Sequence, residues 1–322
     1  MIRYSLMFVF LVCLVTGCQK KYSKFEKEPN YITNPFLEHR NYFEAYNKTL
    51  QLWNQPFDEL YIPTSFGTAH VIVSGTSSGT PVVLLHGMNA SSTMWYPNIK
   101  ALAENHKVYA IDFILEPGKS YITKEMTSID AIGLWYHEVL SLLELKDYHI
   151  IGASRGGWLA VQIALHNQEH IKSIVLLSPA QTFIWVRPST DLLKNIIYAF
   201  STKDRQLEET MKTMSKYPNK INKTYLDQYK MAIEKASINK FTINMMPYTK
   251  KELQKLQMPV YVLIGDEDMI NNDKTVRMAK EILPFGKGEV IKNAGHFLSI
   301  DQADTVNNKI LQFLNDIDLK NN

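Results

Sequence analysis

Apolar residues in this chain gather into short unbroken runs, and the stretches between them carry helical periodicity. Pro81-Val82-Val83-Leu84-Leu85-His86, Lys107-Val108-Tyr109-Ala110-Ile111-Asp112, Ile171-Lys172-Ser173-Ile174-Val175-Leu176-Leu177 and Pro259-Val260-Tyr261-Val262-Leu263-Ile264 are such runs. A strand covered on one face alternates apolar and polar residues, so an unbroken run marks a strand covered on both. Tyr148-His149-Ile150-Ile151 and Gly288-Glu289-Val290-Ile291 are shorter examples. Leu60-Tyr61-Ile62-Pro63 and Ala69-His70-Val71-Ile72-Val73 flank Ser65-Phe66-Gly67 and predict an opening hairpin. Residues 92–104 and 128–145 predict helices. Strands alternating with helices imply an α/β fold with a mostly parallel sheet. From about residue 181 to 247 the alternation lapses, and helical segments at 191–200 and 226–235 take its place. An insertion that ends just before a site-bearing strand predicts a lid. Its apolar residues, among them Phe183, Trp185, Tyr198, Phe241, Met245 and Met246, divide between core packing and a substrate wall.

Composition narrows this picture only slightly. With 45% hydrophobic and 21% charged residues, the chain of 322 residues has an ordinary globular composition. A net charge of +3 is too small to argue for a nucleic-acid partner. The chain shows no internal repeat, phosphate-binding GxxxxGK[ST] loop or paired CxxC.

Chemistry enters at Gly152-Ala153-Ser154-Arg155-Gly156, a G-x-S-x-G run. A β-prone segment precedes it, and Gly157-Trp158-Leu159-Ala160-Val161-Gln162-Ile163-Ala164-Leu165 reads as a buried helix. Strand, sharp turn and helix with serine at the apex make a nucleophile elbow. A serine hydroxyl is a poor nucleophile at neutral pH; it needs a base, and the base needs an orienting acid. Two later segments supply them in the order acid, then histidine. Gly265-Asp266-Glu267-Asp268 follows a buried run and offers three carboxylates. Asn293-Ala294-Gly295-His296 follows the last run; among nine histidines, His296 stands after the acid, at a strand end and behind a glycine. Its expected role is to take the Ser154 proton and return it to the leaving group. The developing oxyanion needs two aimed N–H donors. The backbone N–H of Arg155 is one candidate, and the loop after His86-Gly87 should carry the other. His86 itself reads as a structural hydrogen-bonder.

With these three segments in order, the chain resembles the α/β-hydrolase superfamily, and within it the bacterial carboxylesterase NP group of naproxen-type arylpropionate esterases. The likeness rests on Phe66-Gly67-Thr68-Ala69-His70-Val71-Ile72-Val73-Ser74-Gly75 and on His86-Gly87 through Ser92-Thr93-Met94-Trp95-Tyr96-Pro97-Asn98-Ile99. It continues in Leu177-Ser178-Pro179-Ala180 and in Val290-Ile291-Lys292-Asn293-Ala294-Gly295-His296. The resemblance implies an eight-stranded, mostly parallel sheet flanked by helices, and a serine carboxylester hydrolase with no cofactor. It implies Asp268 as the acid, with Asp266 and Glu267 as fallbacks, and Met88 as the second backbone donor beside Arg155. Three departures stand out: a lipobox, aspartate where those esterases carry glutamate, and Arg155 in place of an apolar residue. The Arg155 side chain is expected either to meet a neighbouring carboxylate or to bias the pocket toward anions. The loop Asp112-Phe113-Ile114-Leu115-Glu116-Pro117-Gly118-Lys119-Ser120 is a loose form of the superfamily's Gly-rich loop, with no chemistry assigned.

The amino terminus reads as an address. Arg3 precedes an almost wholly apolar stretch of roughly ten residues, too short to span a bilayer and right for a signal-peptide core. It ends Val15-Thr16-Gly17-Cys18, which resembles the lipobox of bacterial lipoproteins, where the cysteine is diacylated. The alternative is an ordinary secretory signal with an incidental cysteine. The expectation is a signal peptide over 1–17, a lipidated solvated tether over 18–45, and a hydrolase domain over 46–322 with its lid at about 181–247. The protein is expected to be exported and held by Cys18 at the outer face of a bacterial membrane, acting on a small-molecule ester through Ser154, Asp268 and His296. Thioesterase, lactonase, amidase and C–C bond hydrolase share such a triad, and a non-catalytic lipid-anchored binding protein is the reading from another class.

Overall fold

The computed structural model describes residues 21–76, 79–186, 202–235 and 245–320. Every strand expected from the apolar runs forms. They are β1 Phe57–Thr64, β2 Gly67–Gly75, β3 Val82–Leu85 and β4 Lys107–Ile111, then, after a two-residue β5 Tyr121–Ile122, β6 Tyr148–Ala153, β7 Ile171–Leu177, β8 Val260–Gly265 and β9 Gly286–Ile291. Eight of them follow one another across the sheet in the order β1-β2-β4-β3-β6-β7-β8-β9, and β5 adds a short pairing to β2. β1 and β2 form the expected antiparallel hairpin, closing at the Thr64–Gly67 pair. From β4 to β9 every neighbour is parallel.

Why the runs are unbroken is visible in β7 and β8. Ile174, Leu176, Val260, Val262 and Ile264 enter one core; Val175, Leu177, Tyr261 and Leu263 enter the other. Successive side chains leave a strand on opposite faces, so both faces need apolar residues. Helix α1 Leu37–Leu50 and α2 Ile99–Asn105 cover the second core, and α3 Ile129–Leu142 and α4 Arg155–His166 cover the first. Ser128 caps α3, its side chain accepting the Ala131 N–H at 3.2 Å. The helix expected over 92–104 is broken. A 3₁₀ turn at Ser92–Trp95 precedes Pro97, which has no N–H to continue it, and α2 starts afresh.

The insertion contributes α5 Lys203–Met214 and α6 Lys223–Lys235, and the chain finishes with α7 Asp273–Ile282 and α8 Ala303–Lys320. α6 matches the helix expected at 226–235; α5 was hidden by its polar composition; the helix expected over 191–200 lies outside the described residues. Phe183 and Met245, two of the lid's ambiguous apolar residues, belong to the core.

The amino-terminal expectation needs correction. Residues 22–45 are not a solvated tether. Tyr22 and Phe25 are buried in the first core. The Tyr22 hydroxyl donates to the Leu143 carbonyl at 3.0 Å and meets the Tyr109 hydroxyl at 2.9 Å. α1 buries Tyr42, Tyr46 and Leu50 and packs on α6, with Thr49 donating to the Thr224 carbonyl at 3.2 Å. Two aromatic rings among lysines were enough to anchor a segment whose charge made it look solvated. Residues 1–17 and Cys18 lie outside the described residues.

Candidate active site

Parallel strands all finish at one rim, and that is where the predicted residues meet. Ser154 directly follows β6, at φ 54° and ψ −116°. This is strained backbone for a residue with a side chain, costing on the order of 1–3 kcal/mol, and it needs surroundings that over-determine it. Those surroundings are backbone contacts. The Ser154 N–H donates to the Leu177 carbonyl at 2.8 Å, and its carbonyl accepts from Gly157 at 3.0 Å and Ala180 at 3.1 Å. The flanking glycines permit the crossing: a Cβ on Gly152 would lie 2.2 Å from the Gly156 oxygen, and one on Gly156 would lie 2.1 Å from the Leu85 oxygen.

The strain turns the hydroxyl toward its base. Ser154 Oγ lies 2.9 Å from His296 Nε2, and His296 Nδ1 lies 2.9 Å from Asp268 Oδ1. Asp268 is held in turn by the Ile270 N–H at 2.9 Å and by Asn271 Nδ2 at 3.0 Å. Burial alone would raise the Asp268 pKa, but the adjoining imidazole and these donors reverse that, and the carboxyl sits below its ordinary range. An ionised acid facing Nδ1 fixes the proton there and leaves Nε2 free to accept one from Ser154.

The two other carboxylates of the acid segment do different work. Asp266 accepts the Ala294 N–H at 3.1 Å and so holds the histidine loop. Glu267 makes a surface ion pair with Lys216 at 2.5 Å.

A profile of the alpha/beta hydrolase fold matches residues 80–303. The chain belongs to the α/β-hydrolase family. It is 34% identical over 281 residues to the "Uncharacterized carboxylesterase nap" of Bacillus subtilis (strain 168), covering 85% of this chain and 92% of that protein. It is 33% identical over 280 residues to "Carboxylesterase YbfK" of the same organism, covering 85% and 93%. The crystal structure of naproxen esterase (carboxylesterase NP) from Bacillus subtilis superposes with a TM-score of 0.80 at 31% identity, over 86% of this chain and 98% of that one. This α/β-hydrolase is closely related to that carboxylesterase group, and its site is of the serine-carboxylesterase type.

Within this hydrolase the triad opens on a cavity of about 210 Å³. Met88, Met94 and Met214 line it with Tyr225, Tyr229 and Phe297. None of its described lining residues is a lysine, arginine, aspartate or glutamate. Arg155 turns away from it: its guanidinium pairs with the Glu116 carboxylate, and both side chains are buried. The first of the two expectations for Arg155 therefore holds. His86 is structural, as expected. Its Nε2 accepts the Phe113 N–H at 2.9 Å, so its proton sits on Nδ1, which donates to the Gly87 carbonyl at 2.8 Å. Burial pushes its pKa down and keeps the ring neutral.

Two residues of this site escaped the sequence reading. Glu116 sat in a loop given no role. Asp301 accepts the Gly295 N–H at 2.8 Å, the Lys216 N–H at 2.8 Å and the Ser215 hydroxyl at 2.5 Å. The Phe297 N–H donates to the Met214 carbonyl at 2.9 Å. The histidine loop is therefore fastened to the end of α5, and the insertion is part of what aims His296. A carboxylate at the end of a short helical turn, just before the last helix, gave no signal beyond that of a helix start.

Proposed function

We propose that this hydrolase cleaves carboxylic esters of small, uncharged molecules, and that it does so as an exported protein carried on a lipid at Cys18. The observation that carries the chemical part is the unbroken hydrogen-bonded line Asp268–His296–Ser154 ending in an apolar cavity. Ser154 Oγ attacks the ester carbonyl while His296 Nε2 takes its proton. The tetrahedral oxyanion is received by the backbone N–H groups of Met88 and Arg155. Arg155 is the first residue of α4, so helix geometry gives its N–H no acceptor within the helix, and the positive end of the helix dipole adds to it. His296 hands its proton to the departing alcohol and leaves an acyl-Ser154. Water enters and attacks the acyl carbon while His296 takes its proton; the bond to Ser154 Oγ then breaks, His296 returns the proton to that oxygen, and the acid departs. A described lining without lysine, arginine, aspartate or glutamate favours neutral acyl and aryl groups over anionic ones. The apolar stretch ending in Val15-Thr16-Gly17-Cys18 supports export and acylation.

A fluorophosphonate probe should label the wild type at Ser154 and leave Ser154→Ala unlabelled; labelling that survives the substitution sinks the assignment. A panel of p-nitrophenyl esters and matched thioesters should show ester turnover, and exclusive thioester turnover would overturn the carboxylester reading. In a bacterial host, an alkyne fatty acid should be incorporated into the wild type and not into Cys18→Ser. Equal incorporation would remove the lipid anchor.

A further inference from the structure

We propose that the buried Arg155–Glu116 ion pair is a positioning device that sets the distance between the two oxyanion donors. The proposal rests on the esterase reading given above. One donor, the Arg155 N–H, is fixed by α4. The other, the Met88 N–H, lies on a loop: the Gly87–Met88 peptide plane sets its direction, and the anchoring of the next peptide sets where Met88 is held. The preceding plane is set by His86, whose Nδ1–H holds the Gly87 carbonyl at 2.8 Å. In a trans peptide the N–H points opposite the carbonyl, so the Met88 N–H is turned away from the His86 ring. The following plane is set by Glu116, whose Oε2 accepts the Asn89 N–H at 2.9 Å. Asn89 has φ 55°, a left-handed turn that asparagine tolerates better than most residues. The other Glu116 oxygen faces the Arg155 guanidinium.

A short circuit thus runs from the Arg155 backbone through its own side chain and Glu116 to the peptide after Met88. The Glu116 loop is itself pinned. Asp112 accepts the Lys119 N–H at 2.9 Å with one oxygen and the Ser92 N–H, beyond the donor loop, at 2.8 Å with the other. A buried ion pair is weak evidence of stabilisation, because apolar replacements are often as stable. Control of position is what an apolar pair cannot supply, since it offers the Asn89 N–H no acceptor.

The test is Arg155→Met/Glu116→Leu, which removes both charges together, compared with the wild type and with Glu116→Gln, which keeps an oxygen for Asn89. Thermal melts, kcat and KM for a p-nitrophenyl ester, and Ki for a trifluoromethyl ketone that becomes an oxyanion on Ser154 are measured. The double variant should melt near the wild type yet lose about 10- to 100-fold in kcat, below the full loss of one donor, with KM changed by less than about threefold. Ketone affinity should fall with kcat/KM, and Glu116→Gln should lie between. A double variant with wild-type kcat and ketone affinity overturns the proposal, as does a loss of kcat that leaves ketone affinity intact. If the double variant does not fold, Glu116→Gln decides: a parallel fall of about threefold or more in kcat/KM and ketone affinity supports the proposal, and no change in either overturns it. A wild type that neither hydrolyses esters nor reacts with a fluorophosphonate defeats the esterase reading instead, so the two failures are distinguishable.

Discussion

His296 and His70 each place Nδ1 2.9 Å from an aspartate oxygen, Asp268 in one case and Asp112 in the other. What faces the second nitrogen separates them. At His296 it is the Ser154 hydroxyl at 2.9 Å, and at His70 it is a second carboxylate, Glu59, also at 2.9 Å. A ring between two carboxylates donates from both nitrogens and stays an imidazolium. Burial would discharge His70, but hydrogen bonds to Asp112 and Glu59 raise its pKa instead. Lys119 completes this cluster on Glu59, and the whole lies beneath the sheet's β1–β4 edge. One histidine can pass a proton because one nitrogen is uncommitted to an acid. The other is a structural cation. The aspartate–histidine pair alone does not make a catalyst; the partner across the ring does.

The largest separation between the two should come from substitution at the reacting atoms. Ser154→Ala or His296→Ala should lower kcat on the order of 10⁴–10⁶ in an ester assay with an unchanged circular dichroism spectrum. Asp268→Asn should cost about 10⁴, by stabilising the wrong tautomer. His70→Leu should invert the pattern. It takes the imidazolium away from the buried Asp112 and the half-buried Glu59, so denaturant unfolding should show a loss of about 3–5 kcal/mol, while kcat of the folded fraction stays within about threefold. Similar kcat losses for His70→Leu and His296→Ala would erase the distinction drawn here.

Acid should act on the structural cluster next. Burial favours protonation of Glu59, but the His70 ring and Lys119 reverse this and hold its pKa at about 2 against an ordinary 4.5. A depressed carboxylate pKa contributes stability that is present above 4.5 and lost as pH falls toward 2. The His70 contribution has the opposite sign, complete below its ordinary value and lost as pH rises through its raised one. The melting-temperature gap between wild type and Glu59→Gln should therefore narrow as pH is lowered from 4.5 to 2. The smallest effect is expected at Glu267→Gln. An exposed pair with Lys216 is worth less than about 1 kcal/mol, so neither melt nor kcat should change measurably, although this residue adjoins the catalytic acid.

How much of this was legible in the sequence follows from the range of the interactions. The strands were legible because each buries both faces and needs an unbroken run. Ser154 and His296 were legible because strand ends and glycines mark them locally. Asp268 was not separable from Asp266 and Glu267 by its neighbours alone; family likeness chose it, and hydrogen bonds from Ile270 and Asn271 show why it alone is aimed inward. Glu116 could not be assigned, because its partners Asn89 and Arg155 are remote in the chain and no periodicity links a loop to an elbow. The misread tether has the same cause. The partners of Tyr22 lie 87 and 121 residues away, and nothing local announces them.

Under the proposed acylation of Cys18, Tyr22 decides which way the molecule would look from a membrane. Its neighbours Pro81, Lys107 and Lys146 stand where parallel strands begin, whereas Ser154 stands where they finish. The six residues of β6 put these two poles roughly 20 Å apart. Four residues from Cys18 to Tyr22 reach at most about 14 Å. An acyl chain at Cys18 would thus moor the pole remote from the serine, and the catalytic mouth would gaze outward at dissolved esters rather than down at the lipids that hold it.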